Sequence, residues 1–313
     1  MMKNKILLPL ALLSILFVGC DQEYPLSKDL YPQSVYIVGA ADQIVDRDLN
    51  IANTPYDTVS ISVAVSGSRP SANDVTVTVG EMDTAITIYD TKNLSGTATQ
   101  YRKIASSVYT YPSKSLTIKA GQVYNTLPIY IKPASFQCDS MYMIALRLTS
   151  TTAYSLVKTD TVALVRLNMV NKYSGLYYMN GVIRNTNPAN LKDTVIYNKA
   201  RNLQATDDGK TVRMYHFANE FTQGDVNDYR PTNAFKITVN ADNTLTLKTW
   251  DKFAIITGGG TYYPDLKLYS IWYTFTDDKG VIRKTVGYLY KATKTTAEQK
   301  VITDWIEDHP LAK

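Results

Sequence analysis

Apolar and polar positions alternate with period two through most of residues 34–170. Ser34-Val-Tyr-Ile-Val-Gly, Thr58-Val-Ser-Ile-Ser-Val-Ala-Val and Val75-Thr-Val-Thr-Val each place apolar side chains on one face. Ser115-Leu-Thr-Ile-Lys, Leu127-Pro-Ile-Tyr-Ile-Lys, Met141-Tyr-Met-Ile-Ala-Leu-Arg-Leu and Thr161-Val-Ala-Leu-Val-Arg-Leu repeat the pattern. Turn residues separate these runs: Gly67-Ser-Arg-Pro, Gly80, Ala120-Gly121 and Lys132-Pro133. Short alternating strands at regular spacing predict an antiparallel sandwich of immunoglobulin-like type over 34–170. The one helix-permissive stretch lies near Asp83 to Asn93.

Past a junction at 171–174 the turns become tight hairpins: Asp207-Asp-Gly-Lys, Asn240-Ala-Asp-Asn and Asp277-Asp-Lys-Gly. They supply Gly or Asn where positive φ is needed. Longer strands are predicted at 175–184, 194–206, 211–217, 234–239, 244–250, 266–276 and 281–291. Sequential hairpins of this kind form an up-and-down meander, and closure into a barrel removes its exposed edges. The fold class is therefore all-β, with a sandwich followed by a barrel over 171–313. Thr295-Thr-Ala-Glu298 is a capping-box pattern that opens a short C-terminal helix. Val301, Ile302, Trp305 and Ile306 share one face of it, suited to covering a barrel opening or flank, and Pro310 stops it.

The N-terminus carries an address. Met-Met-Lys-Asn-Lys precedes an apolar run from Ile6 to Val18 and then Gly19-Cys20. The run is shorter than the roughly 20 residues that span a bilayer. It reads as a signal peptide over 1–19 with Cys20 as the acceptor of a lipid anchor. Phe17 departs from the Leu usual three residues before such a cysteine. Residues 20–33, with Pro25 and Pro32, read as a tether. A lipidated Cys20 leaves Cys138 without a disulfide partner, and Cys138 reads as a small apolar filler.

Composition adds little beyond 24 tyrosines, which suit both strands and contact surfaces. The formal charge of +5 shrinks when the leader takes Lys3 and Lys5 away. Export makes nucleic acid an unsuitable default partner. No nucleophile elbow, zinc-protease helix, phosphate loop or cysteine pair of metal spacing occurs. Neither His216 nor His309 has a ligand partner nearby in sequence. Asp251 and Asp265 could be drawn as a glycosidase pair, but they read as solvated loop acids. The chain is expected to be non-enzymatic, with no catalytic residues, no metal site and no cofactor.

Recognition remains. Trp250-Asp251-Lys-Phe253 leads into three successive glycines and Thr-Tyr262-Tyr263-Pro-Asp265. This stretch reads as a loop bearing exposed aromatic planes and hydrogen-bonding groups of the kind that hold sugars. In the alternative, Trp250 and Phe253 cap the barrel core and the tyrosines cover its rim. A second loop, 223–231, offers Tyr229 and Arg230. Trp272 is expected inside the barrel.

These features together resemble Bacteroides-type surface lipoproteins that pair a sandwich domain of unknown function with a lipocalin-like domain. The resemblance rests on Gly19-Cys20, Ser66-Gly-Ser-Arg-Pro-Ser-Ala-Asn-Asp-Val-Thr-Val-Thr-Val, Tyr111-Pro-Ser-Lys-Ser-Leu-Thr-Ile-Lys-Ala-Gly, Asn171-Lys-Tyr-Ser-Gly-Leu-Tyr-Tyr-Met-Asn-Gly and Val239-Asn-Ala-Asp-Asn-Thr-Leu-Thr-Leu. Asp21 and Glu23 loosely match the surface-export signal of such lipoproteins. The resemblance implies an outer-membrane address, a polysaccharide or oligosaccharide ligand, and outer-membrane importer components as neighbours. Fold alone does not confer that function. A structural or adhesin-like subunit, and a carrier of a small apolar ligand in the barrel, are the competing expectations.

Overall fold

The computed structural model describes residues 31–40, 44–206, 208–217, 219–292 and 295–311. Cys20, the leader and the first part of the tether lie outside the described residues.

The first half of the chain supplies β1 (Ser34–Ile37), β2 (Ile44–Asn50), β3 (Asp57–Ser66), β4 (Val75–Glu81), β5 (Tyr101–Lys103) and β6 (Tyr109–Thr110). It continues with β7 (Ser115–Ile118), β8 (Tyr124–Ile131), β9 (Met141–Thr151), β10 (Ser155–Leu156) and β11 (Val162–Val170). One sheet has the order β10-β1-β3-β8-β6, and the facing sheet β2-β11-β9-β4-β7. Val35, Ile37, Ile61, Val77, Ile129 and Val165 fill the space between them. Cys138 packs against this core as an apolar filler would.

The sandwich is not purely antiparallel. β1 pairs in parallel with β10, β2 with β11, and β5 with β9. The first run of chain changes sheets between Ile37 and Ile44, so its two halves border different sheets and meet their neighbours in the same direction. The weak helical signal is realised as α1 (Thr84–Asn93). Its Ile86 joins Leu94, Tyr101, Met143 and Leu164 in a second small core. That core fixes the segment after the helix, which matters below.

The second half forms β12 (Gly175–Asn185), β13 (Thr194–Ala205), β14 (Thr211–Tyr215) and β15 (Ala234–Val239). It goes on to β16 (Leu245–Thr249), β17 (Ile255–Tyr263), β18 (Leu268–Thr276) and β19 (Ile282–Lys291). Each strand pairs with its successor except at one seam, and β12 pairs with β19. Across the seam between β16 and β17, Thr244 bridges Thr261, and Tyr262 N–H donates to the Asn243 carbonyl at 2.8 Å. The result is a nearly closed up-and-down barrel.

The barrel centre is a packed core. Tyr177, Phe235, Tyr269 and Tyr273 are each under 2% exposed. Gly181 makes room for the Tyr197 ring, since a Cβ at Gly181 would lie 2.5 Å from the Tyr197 hydroxyl. Rings pack on rings there, with Tyr177 against Tyr269 and Phe235 against Tyr273.

The capping box forms as expected at the head of α2 (Thr296–Asp308). The helix lies on the barrel flank, where Ile302, Trp305 and Ile306 cover Leu268, Tyr288 and Tyr290. Val301, expected on the same face, is 55% exposed.

His216 follows β14 and is buried between Phe253 and Phe275, with Nδ1 2.6 Å from the Tyr273 hydroxyl. Burial, helped by the Arg201 charge, lowers its pKa to about 3. The unfolded chain, with histidine near its ordinary pKa of about 6.5, therefore takes up a proton that the native barrel refuses. Stability contributed by neutral His216 is complete above about pH 6.5 and declines by about 1.4 kcal/mol per pH unit below it, down to about pH 3. Urea unfolding at pH 7 and pH 5 should differ by about 2 kcal/mol from this group. His216→Gln should flatten that difference, and an equal slope in the variant would assign it elsewhere.

Candidate functional site

The sandwich and the barrel are joined by charged side chains. Asp139, just before β9, accepts from Arg213 of β14 and also from Arg230, whose Nη1 additionally donates to the Asp139 carbonyl at 2.6 Å. Asp228 grips Arg230 from the other side through two hydrogen bonds to the guanidinium, at 2.8 and 2.7 Å. Burial pulls the Arg230 pKa down, but Asp228 and Asp139 outweigh it and leave it raised. Further along, Arg166 holds Asp46 and donates at 2.9 Å to Gln223, which also accepts from the Tyr101 hydroxyl. Arg166 keeps the Asp46 carboxyl below the usual carboxylate range.

Beside these contacts lies a cleft of about 650 Å³. The segment after α1 and the turn before β9 form one wall, and Arg230 of the barrel closes it. The lining is polar: Thr97, Thr99, Gln100, Arg102, Gln137 and Ser140 surround the ion-paired Asp139 and Arg230. Gln100, Arg102 and Gln137 are exposed, and their side chains make no hydrogen bond or ion pair among the described residues. Domain interfaces are favoured places for small-molecule sites. The sequence places these groups far apart; the pairing of β5 with β9 brings the segments carrying Gln100, Arg102 and Gln137 together, and the docking of the 223–231 loop adds Arg230.

The residues expected from sequence fare differently from one another. Arg230 lines the cleft, and Tyr229 directly before it is half-buried, its carbonyl accepting from Asn233 at 3.0 Å. Trp250 is half-buried and lies against two cations, 4.9 Å from Arg213 and 5.0 Å from Lys236. It therefore backs the arginine that reaches Asp139.

The expected aromatic loop is not a loop. Gly258 to Gly260 lie within β17, because glycine lets this strand press against its neighbour: a Cβ on Gly258 would meet Tyr273 Cβ at 2.8 Å. Alternation along that strand turns Tyr262 inward. It is 6% exposed, with its ring 5.1 Å from Tyr173 and 4.8 Å from Tyr269. Tyr263 points outward and packs 4.7 Å from Trp305 of the helix. Asp251 and Asp265 are exposed turn acids. Tyr262 is thus withdrawn as a glycan-facing residue, and the 250–265 stretch does not assemble a single site.

Trp272 is corrected in the opposite sense. Tyr269, Ile271, Tyr273 and Phe275 face inward, so Trp272 stands on the outer wall at 38% exposure. The usable signal was Ser270 and Thr274, polar residues of the same parity as Trp272.

Comparisons with known proteins fit this architecture. A family model described as an N-terminal domain matches residues 31–155, and one described as a C-terminal domain matches residues 161–290. The second match begins ahead of β11, a strand that pairs within the sandwich. A protein of unknown function from Bacteroides ovatus is 17% identical, with 83% of this chain and 94% of that one covered at a TM-score of 0.59. A multidomain protein including DUF1735 from the same organism is 16% identical over 82% and 93% of the two chains, with a TM-score of 0.58. The chain has the two-domain β fold of these Bacteroides proteins. An auxiliary nutrient binding protein from Bacteroides thetaiotaomicron shares it at 16% identity, 79% and 90% coverage and a TM-score of 0.53. No curated protein matches the sequence.

Proposed function

We propose that this protein binds a glycan in the cleft between its β-domains while a lipid on Cys20 tethers it to the outer membrane, facing the cell surface. In that position it serves as an accessory to outer-membrane import or degradation of the polymer, and itself performs no chemistry. The observation that carries the reading is the set of free hydrogen-bonding side chains, Gln100, Arg102 and Gln137, around a cleft to which both domains contribute. A sugar presents rings of hydroxyls to such a lining. The fold shared with an auxiliary nutrient binding protein supports the same direction. Binding is favoured over catalysis because the carboxylates at this seam are occupied: Asp139 by Arg213 and Arg230, and Asp228 by Arg230.

The test uses the full mature chain with Cys20→Ser, which should also leave the membrane fraction in cells. Isothermal titration against plant and host oligosaccharides should find a binder. Each hydrogen bond contributes about 0.5–1.5 kcal/mol, so Gln100→Ala, Arg102→Ala and Gln137→Ala together should weaken it at least about tenfold. Melting should be unchanged, because none of the three supports the fold. An unaltered affinity in the triple variant, or a panel with no binder, overturns the reading.

A further inference from the structure

The outer wall of the barrel carries a pattern that the cleft does not use. Cross-strand register aligns Gly259 with Trp272, Trp272 with Val286, Val286 with Val182, and Val182 with Ile196. These positions form one row running across five strands. At about 4.8 Å between strands the row is about 19 Å long. It is apolar and open, with Ile196 82% exposed and the Trp272 indole resting over Gly259, 3.8 Å from where a Cβ would stand.

Both neighbouring rows are polar. On one side the register gives Thr274, Lys284, Arg184 and Thr194. On the other, Ser270, Asn180 and Asn198 share a row with Tyr288, which the C-terminal helix covers and whose hydroxyl donates to the His309 carbonyl. Lys284 lies 5.5 Å from the Trp272 ring centroid. Neither Lys284 nor Arg184 makes an ion pair among the described residues.

The charge on this wall has one sign. None of the eight barrel strands contains an Asp or Glu, and the cations in these rows are Arg184 and Lys284, whereas Arg201 and Arg213 are buried and paired with Glu220 and Asp139. Acids near the wall sit at its margins. Asp193 and Asp277 are held by Arg283 at the hairpin end, and Glu298 and Asp304 lie on the flanking helix.

We propose that this wall is a second binding surface, for an acidic polysaccharide lying across the strands. Its sugar rings stack on Trp272 and the aliphatic row. Its carboxylate or sulfate groups meet Lys284 and Arg184, and its hydroxyls meet the Ser and Asn row. A flat sheet face suits an extended polymer, and cations with no acidic partner, on a wall whose acids lie at its margins, select an anionic one. The surface is independent of the cleft.

The experiment uses the full mature chain with Cys20→Ser in affinity gels and titrations. Polygalacturonate and chondroitin sulfate are the anionic probes, and dextran is the neutral one. Wild type should be retarded by at least one polyanion at about 50 mM NaCl and much less at about 300 mM, as screening requires. Trp272→Ala should weaken retention about tenfold, the loss expected for one stacking contact. Lys284→Gln with Arg184→Gln should weaken it too and reduce its salt dependence, whereas the cleft triple variant should leave it unchanged. No retention by either polyanion, or equal retention by dextran, overturns the proposal. So does a Trp272-dependent dimer in sedimentation, or Trp272-dependent binding to phosphatidylglycerol vesicles in place of the polyanions. Loss of retention in the cleft variant alone would return the ligand to the cleft.

Discussion

Tyr262→Ala should cost the barrel about 4 kcal/mol, the range found when a large buried ring is cut to alanine. The ring sits between Tyr173 and Tyr269 in edge-on and tilted contacts, beside the seam that closes the barrel. Its removal leaves a cavity that strands on both sides cannot collapse to fill. Tyr262→Phe keeps the ring contacts and should stay within about 1 kcal/mol of wild type. Urea unfolding of the two variants reads this difference. A Tyr262→Ala protein of unchanged stability that had lost glycan binding would return this residue to the ligand surface.

Gly260→Ala should be nearly as damaging, for a different reason. A Cβ there would lie 2.0 Å from the Ser270 carbonyl oxygen and 3.1 Å from Ile271 Cα, and Gly260 has φ +154°. The obstacle is backbone held in the β17–β18 ladder, so no side chain can swing aside. Overpacking of this kind costs about 3 kcal/mol. Gly259→Ala next to it meets nothing closer than 3.7 Å and should be nearly neutral, within about 0.5 kcal/mol. Comparable loss in both variants would mean that the run matters for chain flexibility and not for strand contact.

These glycines show where the sequence was legible and where it was not. Period-two alternation located β12 to β16 and β18 to β19 to within a few residues, because side-chain hydrophobicity there reports which face is buried. β17 was missed because its signal is erased: where two backbones touch, the residues have no side chains to alternate. The capping box at Thr295 was legible because all its partners are local. The cleft was not, since Arg102 and Arg230 belong to different domains and meet only through docking. The face of Trp272 was not legible from the apolar positions alone, because its strand buries residues of both parities. Leu268 is buried, but beneath the helix on the outside.

The two arginines converging on Asp139 fix more than an ion pair. Arg213 and Arg230 come from separate parts of the barrel, so one carboxylate is held from two directions and the sandwich cannot rotate freely about the junction. A cleft built on such a brace keeps its width whether or not anything occupies it. Ligands are then sorted by shape at first encounter and not by closure around them. Crystals of the free and bound protein should superpose as single rigid bodies.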